Sequence, residues 1–141
     1  LEVLETHGVP VITFGQNSFP AFWSRSSPLA SPLRMDSADQ IARAHLMRAA
    51  LGLPGGQLVA NPIPETDEIA ADVLAPIIAR ATEEATAQGI TGKAVTPFLL
   101  QRIFELTNGA SLKANIALVL NNARLAAQIA QKIAKMRKES I

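Results

Sequence analysis

Hydrophobic residues along the chain fall into two short runs and several longer runs with helical spacing. Residues 9–14 (VPVITF) are almost wholly apolar and rich in β-branched side chains, which is typical of a strand buried on both faces of a parallel sheet. Residues 57–60 follow a Pro-Gly-Gly turn at residues 54–56 and predict a second short strand. Strands that alternate with helices indicate an α/β fold, with helices packed on a short, mostly parallel sheet.

Two helices are predicted in the first two thirds of the chain. Ser37 has the hydroxyl of a helix N-cap, and Gln40 lies at the spacing that completes a capping box. The apolar residues that follow predict a helix that ends near residue 51. A second helical region spans residues 67–88 and starts near Asp72, so its proline falls in the first turns and breaks no internal hydrogen bond.

The segment 92–130 predicts two further helices joined by a tight turn. Thr96 can cap the first helix, Pro97 suits its first position, and the Asn108-Gly109 pair ends it. Ser111 can cap the second, longer helix. We expect the broad apolar face of this helix to be substantially buried. Its residues are Leu112, Ile116, Val119, Leu120, Ala123 and Ala127.

Three asparagines lie in this last helix, where asparagine is a poor interior residue because its amide competes for backbone groups. Asn115 and Asn122 are seven residues apart and project from the same side, with Asn121 beside them. Two explanations are open. The amides could bond neighbouring loops or carbonyls, which is a structural role. Alternatively, Asn115 points into a ligand site.

A second candidate site follows the second strand, in the sequence Asn61-Pro-Ile-Pro-Glu65. Ligand sites in open α/β sheets form beyond the carboxyl ends of the strands, and two prolines would present Asn61 and Glu65 in a stiff, extended segment there. These two residues are therefore candidate substrate-binding residues. The competing interpretation is that the prolines only end the strand and direct the chain into a helix.

Composition and charge narrow the possible partners. Hydrophobic residues make up 48% of the chain and charged residues 18%, so we expect some apolar surface to belong to an interface. A formal net charge of +1 gives no general attraction to nucleic acid or to acidic lipid. Only residues 131–141 are basic, and they predict a helical tail whose cations complement the helix dipole.

The sequence shows no targeting signal and no cysteine that would indicate a compartment other than the cytoplasm. Cysteine is absent, and no apolar run approaches the roughly 20 residues of a membrane span. The N-terminus lacks the pattern of a signal peptide and starts inside a predicted helix, so we interpret Leu1 as a cut edge. A cytoplasmic protein is expected, and a mitochondrial or fused form is compatible with a eukaryotic source.

Several segments closely resemble the C-terminal half of pseudouridine-5'-phosphate glycosidases, a family also called indigoidine synthase A-like. They are GVPVITFGQNSFPAFWSRSS (8–27), RMDSADQIAR (34–43), VANPIPE (59–65), VTPFLL (95–100) and LTNGASLKANIALVLNNARLAAQIA (106–130). The resemblance runs in order from residue 1 to about residue 130. It implies that residues 1–141 are the C-terminal portion of one larger α/β/α domain whose N-terminal half is not in this chain.

The resemblance also implies a reaction, in which the C–C glycosidic bond of pseudouridine 5'-phosphate is reversibly cleaved to uracil and ribose 5-phosphate. In the family a lysine forms an imine with the opened ribose, an acid moves protons, and manganese or a similar divalent metal is associated with the site. The lysine, acid and metal ligand lie in the absent half, so we expect this chain alone to be inactive and assign it no metal ligand.

One active-site residue can be carried over from the family. Asn115, the asparagine of the NIAL sequence, lies close to the catalytic centre in the family and is a supporting catalytic candidate here. The family is typically a homotrimer, which the resemblance implies for this protein as well. The alternative function is a non-catalytic α/β interaction module that retains the family scaffold.

Overall fold

A three-stranded parallel sheet lies at the centre of the fold in the computed structural model, which describes residues 1–139. The strands are β1 (Val11–Phe14), β2 (Leu33–Met35) and β3 (Leu58–Ala60), in the order β2-β1-β3. Ile12 of β1 stands opposite Leu33 on one side and Val59 on the other. The first three residues of β1, Val11, Ile12 and Thr13, are all β-branched and all buried, as expected for a strand covered on both faces.

Within residues 1–139, five α-helices and two short 3-10 turns accompany the sheet. The α-helices are α1 (Glu2–Thr6), α2 (Ala38–Ala50), α3 (Ala71–Ala87), α4 (Val95–Leu106) and α5 (Ala110–Glu139), and the 3-10 turns are Glu65–Asp67 and Gly92–Ala94. Helix α2 packs against α5, and α3 packs against α4. The predicted α/β class with a short parallel sheet is therefore confirmed.

Helix boundaries follow the sequence signals in two places. The Ser37 hydroxyl accepts a hydrogen bond from the Gln40 backbone N–H at 3.2 Å, so α2 has the predicted cap. Between α4 and α5, Asn108 has φ 49° and Gly109 has φ 84°. Both are in the left-handed region that ends a helix, which asparagine and glycine tolerate best.

Two predicted caps are wrong. Helix α4 begins at Val95, directly after a 3-10 turn, so Thr96 lies within its first turn and caps nothing. Helix α5 begins at Ala110, and Ser111 lies inside it. The hydroxyl that serves the start of α5 belongs to Thr107, which accepts a hydrogen bond from the Ser111 N–H at 3.2 Å. Helix α4 starts early because the preceding 3-10 turn is itself helical, whereas α5 starts directly after the left-handed Asn108 and Gly109.

The predicted burial of the apolar face of α5 is also wrong within this chain. The buried residues of α5 are Ser111, Ala114, Leu118 and Leu125. The four large residues of the predicted face are each about half exposed, namely Leu112 at 48%, Ile116 at 53%, Val119 at 57% and Leu120 at 49%. The helix carries apolar residues on both sides, and the side with smaller residues packs on the rest of the chain.

The C-terminal end of α5 carries a cluster of basic residues, Lys132, Lys135, Arg137 and Lys138. Residues 131–139 continue the helix, whereas the last two residues of the predicted 131–141 tail lie outside the described residues. Across residues 1–139, no helix is both long and apolar enough to cross a membrane.

Candidate functional site

The turn that follows β3 is held in the core by one side chain. Ile63 is fully buried and packs against Ala114 and Leu118 of α5. Trp23 and Ile69 pack against the same cluster. The Pro-Ile-Pro sequence keeps the backbone extended on both sides of Ile63. The burial of this one residue therefore fixes the direction of the chain after β3.

Two of the three asparagines of α5 bind this turn. The Asn121 side-chain amide donates a hydrogen bond to the Pro62 carbonyl at 3.0 Å. The Asn61 amide donates to the Asn122 side-chain oxygen at 3.2 Å. The structural explanation therefore applies to Asn121 and Asn122, which join α5 to the carboxyl end of β3.

Arg25 fastens the loop between β1 and β2 to the same turn. Its Nη1 donates a hydrogen bond to the Ile63 carbonyl at 2.6 Å, and its backbone N–H donates to the Glu68 carboxylate at 2.9 Å. The Ser24 hydroxyl donates to the Ile69 carbonyl at 2.7 Å, and Ser24 is buried. Hydrogen bonds from residues 24 and 25 thus fix a loop without regular structure at the point where its backbone enters the core.

A polar cleft of about 410 Å³ opens beside this turn at the carboxyl ends of β1 and β3. Its walls include Phe14, Asn61, Arg25, Arg124 and Gln128. The position agrees with the expectation that ligands bind beyond strand ends in open α/β sheets. Asn61 lies in this cleft, whereas the exposed Glu65 starts the adjoining 3-10 turn and is not among the lining residues.

A second, more apolar groove of about 380 Å³ lies where α4 meets the start of α5. Trp23, Leu100, Phe104, Leu112 and Asn115 are among the residues that line it. The ring of Trp23 lies edge to face against that of Phe22, with the two ring centroids 4.8 Å apart. The Trp23 indole N–H donates a hydrogen bond to the Ser111 carbonyl at 3.0 Å, which fixes the groove wall to α5.

Asn115 differs from the other two asparagines of α5. Its side chain is half-buried in the groove, and within residues 1–139 its amide has no hydrogen-bond partner. A side-chain amide offers two N–H donors and one oxygen acceptor. An amide of this kind in a mainly apolar groove is available to a ligand, because nothing else in the described part of the chain competes for it.

An ion-pair network lies outside this groove, between α3 and α4. Arg102 donates a hydrogen bond from Nη2 to the Glu84 carboxylate at 3.1 Å, and Arg80 donates to the same oxygen at 3.0 Å. The bond from Arg102 is the main cause that lowers the pKa of Glu84, with the Arg80 bond second. This network joins two helices and stays ionised at neutral pH, so it is a structural feature of the scaffold.

The described residues do not fit the divalent metal that the family resemblance implies. Residues 1–139 contain no group of three or more histidine, cysteine or acidic side chains that could hold a metal ion together. Manganese prefers carboxylate, carbonyl and water oxygens. The groove that contains Asn115 has no carboxylate among its lining residues.

The sequence-predicted site residues are not brought together in one cavity. Asn115 lies in the apolar groove, Asn61 in the polar cleft, and Glu65 outside both. Sequence reasoning did not single out the groove residues Phe104 and Leu100 or the cleft residues Arg124 and Gln128. Only the positions of Arg124 and Gln128, near Asn121 on the helix face that meets the turn, could have indicated them.

Comparisons with known proteins give one consistent family for this chain. A sequence model of the family "Indigoidine synthase A like protein" matches residues 1–132. The pseudouridine-5'-phosphate glycosidase of Jannaschia sp. (strain CCS1) is 70% identical over 131 residues, which cover 93% of this chain and 43% of the relative. The enzyme of the same name from Roseobacter denitrificans is 72% identical, with 93% and 42% covered. The chain thus spans less than half the length of the curated relatives it matches.

Two solved structures share the fold of this chain. The prealnumycin C-glycosynthase AlnA, determined in complex with ribulose 5-phosphate, superposes with a TM-score of 0.88 at 31% identity, covering 98% of this chain and 45% of that one. An indigoidine synthase A-like protein from Thermotoga maritima has a TM-score of 0.79 at 36% identity, with 92% and 42% covered.

Proposed function

Because the chain belongs to the indigoidine synthase A-like family, we propose that it is the C-terminal portion of a pseudouridine-5'-phosphate glycosidase and supplies one wall of the active site. The full reaction would break the C–C glycosidic bond of pseudouridine 5'-phosphate and yield uracil and ribose 5-phosphate, as a lyase-type cleavage. The many relatives that carry the glycosidase name favour this function over a non-catalytic interaction module.

The free amide of Asn115 is the observation that carries this proposal. Asn121 and Asn122 use their amides within the fold, whereas the Asn115 amide meets only a groove. In the proposed enzyme, Asn115 hydrogen-bonds the opened ribose or the lysine that forms an imine with it. An amide can act at a hydroxyl, a carbonyl or a protonated imine without changing its own charge, so it positions the sugar throughout the reaction.

The rest of the chemistry is proposed to lie outside this chain. The family's imine-forming lysine, its acid and its divalent metal are assigned to the part that the relatives carry beyond the matched region, because the family resemblance implies them there. An imine to the opened sugar gives the electrons of the breaking C–C bond a place to go, which a poor carbon leaving group requires. The chain alone would then be inactive.

We propose that Asn61 and Glu65 lie at the entrance of the site, and the case for Asn61 is the stronger of the two. Asn61 lines the polar cleft together with Arg25 and Arg124, whose guanidinium groups suit a phosphate or carboxylate. The exposed Glu65 next to this cleft has a weaker case.

A homotrimer is likewise proposed, supported by apolar residues exposed near the β2 edge, such as Leu29 and Leu33. Sedimentation velocity on the complete enzyme would test that assembly.

The test is a substitution of Asn115 in a complete enzyme. A chimera in which the 131 matched residues replace the corresponding segment of the Jannaschia relative keeps the catalytic parts, and 70% identity makes the replacement conservative. Asn115→Ala is expected to lower kcat/KM for pseudouridine 5'-phosphate by about 10- to 100-fold, the range for one hydrogen bond to a charged or developing-charge group.

Asn108→Gly is the matched control for this test. Asn108 is exposed in the α4–α5 turn at φ 49°, where glycine is well tolerated, and it does not line the groove. Its chimera should keep normal turnover. If Asn115→Ala folds and turns over within about twofold of the unsubstituted chimera, the proposed role of Asn115 is wrong. If the unsubstituted chimera is inactive although folded, the proposed function of this chain is wrong.

A further inference from the structure

One side of α5 presents an apolar surface that nothing in the described chain covers. The α5 outer face comprises Leu112, Ile116, Val119, Leu120, Ala123 and Ala127, all of which are exposed. At about 100° per residue, this face lies nearly opposite the buried residues of the same helix. The buried set is Ser111, Ala114, Leu118 and Leu125. The helix is therefore apolar on both sides and partnered on one.

The α5 outer face continues into the groove that holds Asn115. Leu112 belongs to both, and Leu100 and Phe104 of α4 extend the exposed apolar surface across the groove at 42% and 38% exposure. No charged residue occurs from residue 114 to residue 123. Depletion of charge around exposed large apolar side chains is characteristic of the centre of a protein interface, and large patches of this kind are rare on a free surface.

The length of the relatives indicates what covers this surface. The matched region is 93% of this chain but only 43% of the Jannaschia relative, so more than half of a closely similar enzyme lies outside the match. That part is joined to the matched region in one polypeptide, and its effective concentration at the α5 outer face far exceeds that of a second copy. A linked segment therefore reaches the face first.

We propose that the α5 outer face is the docking surface for the part of the enzyme that relatives carry outside the matched region, and that this contact encloses Asn115. The docking rests on the family membership, whereas the enclosure of Asn115 as an active-site residue rests on the proposed function. The docked part would present apolar side chains to Ile116 and Val119 and its polar, reactive groups to the groove beside them. Neither part would hold a complete site without the other.

The absence of cysteine from the chain allows a direct test of accessibility. Ile116→Cys places one thiol at the centre of the α5 outer face, and Glu83→Cys places one on the exposed surface of α3 as a control. Each variant is labelled with a thiol reagent both as the 141-residue chain and within the Jannaschia chimera. Mass spectrometry of the labelled peptide then follows each thiol separately from any cysteine of the relative.

The Ile116→Cys thiol should label at the rate of the control in the chain alone and at least about tenfold more slowly in the chimera, because a buried thiol reacts only when the contact opens. The Glu83→Cys thiol should label equally in both. Val119→Asp adds a second measurement, and we expect it to leave the thermal midpoint of the chain unchanged and to lower that of the chimera.

Equal labelling of the Ile116→Cys thiol in chain and chimera would overturn the proposal. Protection that already appears in the chain alone and rises with concentration, together with a dimer in sedimentation, would overturn it in favour of a second copy. Labelling does not depend on turnover, so the two hypotheses separate. A protected thiol in a folded but inactive chimera supports the docking surface and contradicts the proposed function.

Discussion

The substitution Ile63→Ala tests whether one side chain fixes the turn after β3 against α5. Ile63 has no exposed surface and contacts Ala114 and Leu118 of α5. Truncation to alanine removes three carbon groups, which are worth about 0.8 kcal/mol each on transfer out of water. A residual cavity of about 50 Å³ adds about 1 kcal/mol more. The free energy of unfolding should therefore fall by about 3–4 kcal/mol.

The assay is urea unfolding of the 141-residue chain followed by circular dichroism, with thermal unfolding as a second readout. A loss of this size corresponds to a midpoint about 10 °C lower for a chain of this length. Ile116→Ala is the matched control, because it removes the same atoms from a side chain that is 53% exposed. That control should change the free energy of unfolding by no more than about 0.5 kcal/mol.

Two outcomes would refute the reasoning about Ile63. A loss below about 1 kcal/mol would mean that the core does not depend on this contact, since buried isoleucine truncations normally cost more. Equal effects of Ile63→Ala and Ile116→Ala would mean that the packing of α5 on the turn differs from the one described. An unchanged slope of free energy against urea would confirm that the variant unfolds from the same compact state.

Two further predictions concern the contacts that hold α3 to α4 and the loop to α5. The Arg102 bond lowers the pKa of Glu84 below its ordinary 4.5, so its contribution to stability is present above pH 4.5 and is lost as the pH falls below that value. Urea unfolding at several pH values should therefore show Glu84→Gln less stable than the parent at neutral pH and level with it in acid, and a pH-independent difference would contradict this. Trp23→Phe removes the indole donor to the Ser111 carbonyl and should lower the free energy of unfolding by about 1 kcal/mol. Circular dichroism must follow it because Trp23 is the chain's one tryptophan, and an unchanged stability would show that the bond is not formed in solution.

Local signals in the sequence were sufficient for most of the fold. The β-branched run that becomes β1 and the Asn108-Gly109 turn are dictated by side-chain shape and backbone sterics, which act over a few residues. The strand β2 was missed because Leu33–Met35 is only three residues long, and Leu33 and Arg34 are exposed at a sheet edge. A segment of this kind carries no periodicity that could indicate a strand.

The candidate site was harder to predict because its contacts span the sequence. The choice between a structural and a ligand-facing asparagine depends on two hydrogen bonds whose partners are 59 and 61 positions apart in the sequence. No local pattern encodes such bonds. The buried side of α5 was predicted wrongly for a related reason. Both sides of the helix are apolar, so burial depends on which neighbours are present to cover each side.

The hydrogen bonds that join Asn121 and Asn122 to the turn after β3 fix α5 relative to that turn. The number of residues along α5 then determines where Asn115 lies. Asn115 lies two helical turns before Asn122, and the helix pitch sets the axial distance between them at about 10 Å. Insertion of one residue between them would rotate Asn115 by about 100° around the axis while the turn stayed bound. A side-chain substitution in this interval leaves the angle between Asn115 and Asn122 unchanged, whereas a change in the number of residues alters it, so length here is the property that aims the amide.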